Sequence, residues 1–396
     1  MALEGLKVIE FAGLAPGPFA GLILADNGAS VTRIDRPSAS SSDVLCRGKR
    51  SIAINSKVPS GRELLKKIIS LADIVIDPFR PGVMERLGLG PEVFLGQGGQ
   101  KGLNERLIYA RIAGFPRTGP HKDMAGHDIN YAALSGVLSM LPGVGKPTFP
   151  LNLLADFAGG GVMCAVGILL ALIERGKSGR GQVVNADMVS GTRYMASFPL
   201  LHSLLPNSWV LGGDRGTNAL DGGAPFYNVY TCKDGGWMTV GCLEPQFFKA
   251  FIEGFMAALP KDFLINSRWR PTPASQFDKD EWADLTEFLT KGFMTNTRDY
   301  WAGVFHATEA CAVPVLTPRE AAASNSLVPP AHPQISGRFG VPSSAETSDD
   351  FSLQPGLHTD EVLNELGLSK LEREQLGLDG ALGHDAQKSA QVKHKL

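Results

Sequence analysis

Leu6-Lys7-Val8-Ile9-Glu10-Phe11, then Gly13-Leu14-Ala15-Pro16-Gly17-Pro18, then Val31-Thr32-Arg33-Ile34: this stretch decides the fold. The first run is mostly apolar and short enough for a strand. The Gly/Pro loop turns the chain. Residues 19–26 have helical character, with Pro18 suited to the first turn. Residues 31–34 make the next strand. The alternation continues with strand 51–54, helix 61–71, strand 73–76, a helix near 81–86, strand 107–112 and helix 128–138. Strands alternating with helices predict an α/β domain with a parallel sheet covered on both faces, and ligands then sit at strand carboxyl ends.

The rest of the chain changes character. Residues 157–173 form a charge-free run of 17 with three glycines at residues 159–161, near its start. That is the short edge of a membrane span, and it reads as a buried core helix. Residues 182–206 suggest a strand and one long helix, and 207–225 a Gly-rich linker. Residues 226–232 and 237–243 flank Asp234-Gly235-Gly236 as a β-hairpin. Helices near 246–256, 281–294 and 297–306 and a short strand at 313–316 complete a smaller α+β domain. The domain expectation is therefore a large domain over 1–187 completed by 325–396, a linker helix and loop over 188–221, and a small domain over 222–324. Residues 326–352 read as a Pro/Ser/Gly-rich crossover, 359–366 and 370–376 as amphipathic, and the tail past 383 as disordered.

Composition narrows the function. With 396 residues, 43% hydrophobic and 20% charged, the chain is ordinary globular material, not a disordered or fibrous one. A formal charge of -2 asks for no nucleic acid and no acidic membrane surface. Five scattered cysteines without a CxxC pair argue against a disulfide framework or a zinc site and fit a reducing compartment. The terminus His394-Lys395-Leu396 has the form of a weak peroxisomal address, and equally of a chance basic tail.

Particular residues then suggest chemistry. Glycines at 13, 17 and 21 do not fit G-x-G-x-x-G, so no nicotinamide cofactor is expected. Arg36 follows the second strand, and further basic residues come at Arg47, Lys49, Arg50, Arg80 and Arg86, several of them just past strands or in loops. Arginine forks suit phosphate oxygens, although any one of these reads as well as a solvated surface charge. His127 lies at or just before the start of a helix that Asp128 could cap. A neutral imidazole there is a competent general base, while a lone histidine is more often structural. Asp156 is the only charge between Lys146 and Glu174. It could be a simple N-cap. The following glycines each cost about 1 kcal/mol relative to alanine in a helix, so a close backbone approach is being bought there, or exposed N–H groups for an oxyanion. Glu244, after the hairpin, could orient an imidazole or merely start a helix.

Taken together, Leu14-Ala15-Pro16-Gly17-Pro18, Arg33-Ile34-Asp35-Arg36-Pro37, Arg47-Gly48-Lys49-Arg50-Ser51, Arg80-Pro81-Gly82-Val83, residues 125–131, 150–161 and 220–225, and Glu244-Pro245-Gln246-Phe247 resemble the alpha-methylacyl-CoA racemase family of the class III CoA-transferase superfamily. The likeness runs in order over about 4–320 and resumes at His358-Thr359-Asp360-Glu361. Residues 37–46, 96–103 and 326–352 depart from it. The resemblance implies a Rossmann-like large domain, a smaller domain and an interlocked homodimer with the active site shared between subunits. It implies His127 and Asp156 as two acid/bases, with Glu244 of the partner chain hydrogen-bonding the imidazole. It implies Arg36 and Arg86 at CoA phosphates, and Ala15, Tyr131 and Asn152 in the acyl-CoA site. The implied reaction is epimerisation of 2-methylacyl-CoA through an enolate, without metal or cofactor, in a soluble protein of the peroxisome and/or mitochondrion if the source is eukaryotic, or of a bacterial cytosol. Met140, Met188 and Met195 could offer a pliable surface to the acyl chain, or simply fill the core. The rivals are CoA transfer through an Asp156 acyl anhydride and a catalytically silent acyl-CoA binder.

Overall fold

The computed structural model describes residues 1–37, 40–206, 208–265, 268–323, 328–335 and 351–382. The His394-Lys395-Leu396 terminus, the tail past 383 and most of the 326–352 crossover lie outside these. The chain divides into two compact units. The first comprises 1–138, 149–196 and 330–396. The second comprises 139–148 and 197–329. Of the 188–221 segment expected as a linker, 188–196 belongs with the first unit and 197–221 with the second.

The first unit is built on six parallel strands: β1 (Lys7–Phe11), β2 (Ser30–Asp35), β3 (Lys49–Ala53), β4 (Ile74–Asp77), β5 (Ile108–Ala113) and β6 (Val183–Asp187), in the order β3-β2-β1-β4-β5-β6. Alternate residues feed the two faces, as the pleat requires. Val8, Val31, Ile74, Ile76 and Ile108 join one core with Ala20 and Leu24. Ile9, Ile34, Ile52, Val75 and Tyr109 join the other with Leu64, Leu65, Ile68 and Ile69 of the helix Pro59–Ser70. The order reverses between β1 and β4, which opens a crevice at the carboxyl ends of those strands.

Several boundaries differ from the sequence expectation: the helix expected over 128–138 stops at Ser135, where Gly136 turns left-handed, and two others shift because of proline. The first helix starts at Pro16 and not at 19. Pro16 and Pro18 sit in its first turn, where a missing N–H costs nothing. The long helix expected after β6 is two, Met188–Met195 and Ser197–His202, because Pro199 has no N–H to continue the ladder.

The apolar run at 157–173 is helical but is not a buried core helix throughout. It begins as a wide π-helical stretch, Leu153–Val162, and continues as the α-helix Met163–Ser178. It packs on β5, β6 and the helices Pro16–Asp26 and Met188–Met195. Only 39% of its most apolar window is buried. Val166, Leu169, Leu170 and Ile173 stand exposed at helical spacing. A helix laid on one face of a sheet can hide one flank only, and here the other flank is apolar as well.

The C-terminal segment completes this unit. Arg33, buried on β2, gives Nε to Asp35 (2.8 Å), Nη1 to Asp43 (3.1 Å) and Nη2 to the Leu353 carbonyl (2.9 Å). Ser51 accepts the Gly356 amide at 2.8 Å, and its carbonyl accepts the His358 amide at 2.9 Å.

The second unit carries an antiparallel sheet of β7 (Tyr227–Thr231), β8 (Trp237–Gly241) and β9 (Ala312–Pro314). Its core is aromatic: Phe226, Phe248, Phe251, Phe255, Phe288, Phe293 and Trp301 are all buried. The hairpin and three main helices lie where the sequence predicts them, within a few residues.

Candidate active site

Loops leaving β1, β4 and β5, the start of the helix Asp128–Ser135 and the wide turn at Asp156 enclose a cavity of about 520 Å³ in the first unit. Leu14 and Pro16 come from the first loop, Pro78 and Arg80 from the second, Gly114 and Phe115 from the third. His127, Asn130, Tyr131, Asp156 and Met188 line the remainder together with Lys122 and Met124. This is the switch-point crevice that open parallel sheets present.

His127 is the residue before the helix, with extended backbone (φ −134°, ψ 177°), and its ring is exposed to the cavity. Its amide donates to Asn130 Oδ1 at 3.1 Å. Asp156 enters from the π-helical stretch, just past Leu151, which is held at φ 52°. A non-glycine residue in that conformation is strained, and such strain persists only where surrounding structure fixes it. The Asp156 amide and that of Ala155 both donate to Asp128 Oδ2, each at 2.8 Å.

Half-burial holds the Asp156 carboxyl above the usual aspartate range. Asn152 Nδ2, 3.3 Å from Oδ2, pulls it back. The nearby Asp128 charge raises it again, and His127 lowers it. A folded-state affinity for protons above the unfolded one favours unfolding once pH exceeds the unfolded value. Asp156→Asn should therefore raise the melting temperature at pH 7, by a few degrees at most, about 1 kcal/mol or less. The gain should vanish below pH of about 4, where unfolded aspartate is itself protonated. Equal melting temperatures for the two proteins at pH 7 would contradict this.

The three glycines do not serve exposed N–H groups. Gly159, Gly160 and Gly161 are buried and none lines the cavity. A Cβ on Gly159 would lie 2.5 Å from the Thr192 amide nitrogen. One on Gly160 would lie 3.0 Å from Met188 and Pro16, and one on Gly161 2.9 Å from Phe19. They let the π-helical stretch press between the helices Pro16–Asp26 and Met188–Met195. The close backbone approach inferred from sequence is real, but its partner is protein.

The basic residues also sort themselves. Lys49 is fully buried on Glu10, Arg47 chelates Asp26, and Arg50 holds Glu361 and Glu365. These three are committed to structure. Arg36, Arg80 and Arg86 are exposed and make no ion pair among the described residues. Of them only Arg80 lines the cavity, joined by Lys122, which the sequence did not single out.

Tyr131 is buried against the cavity, its hydroxyl donated to the Gly126 carbonyl. Its ring lies against Gly114 and Gly126, where side chains would collide with it. Ala15 sits between lining residues Leu14 and Pro16, and Asn152 is not part of the lining but donates to Asp156. Met188 lines the cavity, Met195 is exposed and Met140 falls in the second unit. Behind Pro78, burial pushes Asp77 up to about 6, against the pull of Arg117 and Arg111. Glu244 belongs to the second unit, exposed at the start of the helix Pro245–Ala258, and its carbonyl accepts the Phe247 and Phe248 amides. Among the described residues no group of three or more His, Cys, Asp or Glu is arranged to hold a metal ion.

An acid and an imidazole on one crevice of this fold suit acyl-CoA chemistry, and comparison with known proteins agrees. The sequence matches CoA-transferase family III over residues 3–332. The chain belongs to that family. Within it, human alpha-methylacyl-CoA racemase is 43% identical over 397 aligned residues, covering 96% of this chain and 97% of the human one. A CaiB/baiF CoA-transferase family protein of Caenorhabditis elegans is 35% identical, covering 79% and 86%. Among solved structures, a CAIB/BAIF family protein from Brucella suis aligns with a TM-score of 0.68 at 23% identity, covering 92% of this chain and 99% of that one, a likeness of fold.

Proposed function

We propose that the protein racemises 2-methylacyl-CoA thioesters. The observation that carries this is the meeting of His127 and Asp156 on one cavity, close enough for the imidazole to bias the carboxyl. Inversion at the carbon next to a thioester needs one group to remove a proton from one face and another to deliver a proton to the opposite face. His127 takes the α-proton of the S epimer and Asp156 that of the R epimer. The electron pair passes into the thioester carbonyl as an enolate, and reprotonation by the second group returns it to carbon. The proton count balances without any co-reactant. Raised proton affinity suits Asp156 to both halves of this task. With the glycine amides packed away, the donor for the enolate oxygen is the helix start at Asp128, since the Asn130 and Tyr131 amides are already taken by the His127 carbonyl. Arg80 faces the cavity, and Arg36 and Arg86 serve CoA phosphates farther out.

The active protein is a homodimer in which Glu244 of a second copy orients the His127 imidazole. The uncovered stripe Val166, Leu169, Leu170 and Ile173 supports an apolar interface. Leu170→Glu with Ile173→Glu should give a monomer in sedimentation velocity and little racemase activity. A dimer unchanged by both charges would remove this stripe from the interface.

CoA transfer is the second reading, favoured by the family match and by a half-buried carboxylate able to form an acyl anhydride. One 2-methylacyl-CoA epimer incubated in D2O, with and without a free acid acceptor, separates the two. Deuterium uptake at carbon two with loss of optical purity, independent of acceptor, is expected. Acceptor-dependent acyl exchange without deuterium uptake would establish the transferase instead.

A further inference from the structure

Asp128 is 4% exposed, and neither acid/base assignment uses its carboxylate. Oδ2 accepts two consecutive amides, those of Ala155 and Asp156, from chain 27 and 28 residues away. Oδ1 is buried with no hydrogen-bond partner among the described residues. A buried carboxylate left half-satisfied is expensive, and its retention calls for a return. Its neighbour in sequence is His127, and the peptide it holds is that of Asp156. One side chain thus ties the backbones of both cavity-facing acid/bases together.

We infer that Asp128 is a positioning residue: its carboxylate clamps the π-helical turn that bears Asp156 to the helix start that bears His127, fixing the separation of the two proton carriers. The inference rests on the racemase reading for its kinetic consequence but not for its structural one. The clamp needs an acceptor oxygen, and asparagine supplies one. The charge is a separate contribution, since Asp128 is one of the groups that raise the Asp156 carboxyl. Alanine removes both, asparagine the charge alone.

Two readouts on Asp128→Ala and Asp128→Asn test it. In hydrogen–deuterium exchange, the amides of Ala155 and Asp156 should lose protection in Asp128→Ala and regain it in Asp128→Asn. In racemisation, Asp128→Ala should lose about ten- to a hundredfold in kcat, the scale for a misplaced reacting group, with KM within about twofold. Asp128→Asn should keep most of kcat while the acidic limb of its rate profile moves to lower pH, because the Asp156 carboxyl is no longer raised by a neighbouring charge. Wild-type protection at 155–156 in folded Asp128→Ala overturns the clamp. So does a wild-type kcat there while the wild-type enzyme racemises. If Asp128→Ala does not fold, Asp128→Asn decides: loss of protection at those amides, or a pH profile identical to wild type, overturns the inference. A wild-type protein that fails to racemise refutes the activity alone, and the exchange measurement still reads the clamp.

Discussion

Alanine in place of His127 or Asp156 should abolish racemisation in both directions, each losing about 10²- to 10⁴-fold, the usual worth of a positioned acid or base. The two losses should differ in kind. A racemase with one proton carrier removed can still deprotonate and reprotonate from the remaining side. Asp156→Ala should then exchange the α-proton of the S epimer with solvent deuterium without inverting it. His127→Ala should do the same for the R epimer. Neither group lies in a core whose loss would unfold the protein: His127 is exposed to the cavity and Asp156 is half-buried. Circular dichroism and melting curves should therefore stay close to wild type, with Asp156→Ala no less stable. Racemisation at the wild-type rate in both variants would end the two-carrier mechanism. Symmetrical exchange of both epimers by either single variant would contradict the division of labour between the faces.

The largest effect on stability is expected from Lys49→Met. Lys49 and Glu10 are both wholly buried, on β3 and β1. The ammonium spends its donors on Glu10 Oε1 (3.0 Å), Glu10 Oε2 (2.7 Å) and the Pro18 carbonyl (2.8 Å). Gly21 roofs the pair, and any Cβ there would run into Glu10 Oε2. Without the lysine, Glu10 is a buried carboxyl stripped of its ammonium partner, with Arg33 a weaker offset that Asp43 opposes, and burial already raises it with the lysine present. Breaking such a pair costs about 3–5 kcal/mol, whereas replacing both members by well-packed apolar groups is often neutral. Denaturant unfolding at pH 7 should show that loss for Lys49→Met and recovery of most of it in Lys49→Met with Glu10→Leu. The deficit should shrink as pH falls past the ordinary glutamate value near 4, since the unfolded chain then also binds the proton. A loss under about 1 kcal/mol at pH 7 would show that the pair is not what holds β1 to β3.

What could be read without coordinates follows from the range of the interactions concerned. The strands β1, β4 and β5 are mostly apolar runs, so a local pattern marks them, whereas β2 and β3 carry Arg33, Asp35, Lys49 and Arg50 and were marked by the alternation with helices. Asp156 was visible as the single charge in a long apolar stretch, and His127 at a helix start, before any fold was known. Their shared cavity was not visible from periodicity and came from family resemblance. For Gly159, Gly160 and Gly161 the close backbone approach was legible and the exposed N–H groups were a misreading, because composition says that a Cβ is excluded without saying by what. The answer, Thr192 and Phe19, lies on other helices. The basic residues near 47–50 were indistinguishable from Arg36 in sequence, since the acids that claim them, Glu10, Asp26, Glu361 and Glu365, are remote. Asp128 looked like a helix cap for the same reason: its true partners are residues 155 and 156.

The stitching of residues 353–358 onto β2 and β3 bears on how the chain is made. Asn55 reaches still further, with its amide on the Ala381 carbonyl. Synthesis delivers β2 and β3 early, yet the groups that satisfy Arg33 and Ser51 arrive only after the whole second unit has been translated. A nascent chain therefore carries a half-sealed edge, with a buried guanidinium still short of a hydrogen bond, for most of its time on the ribosome. The second unit, by contrast, has all but ten of its residues in one continuous stretch and can close by itself as it emerges. Maturation should therefore end at the β2–β3 edge, which is sealed only when residues 353–381 arrive.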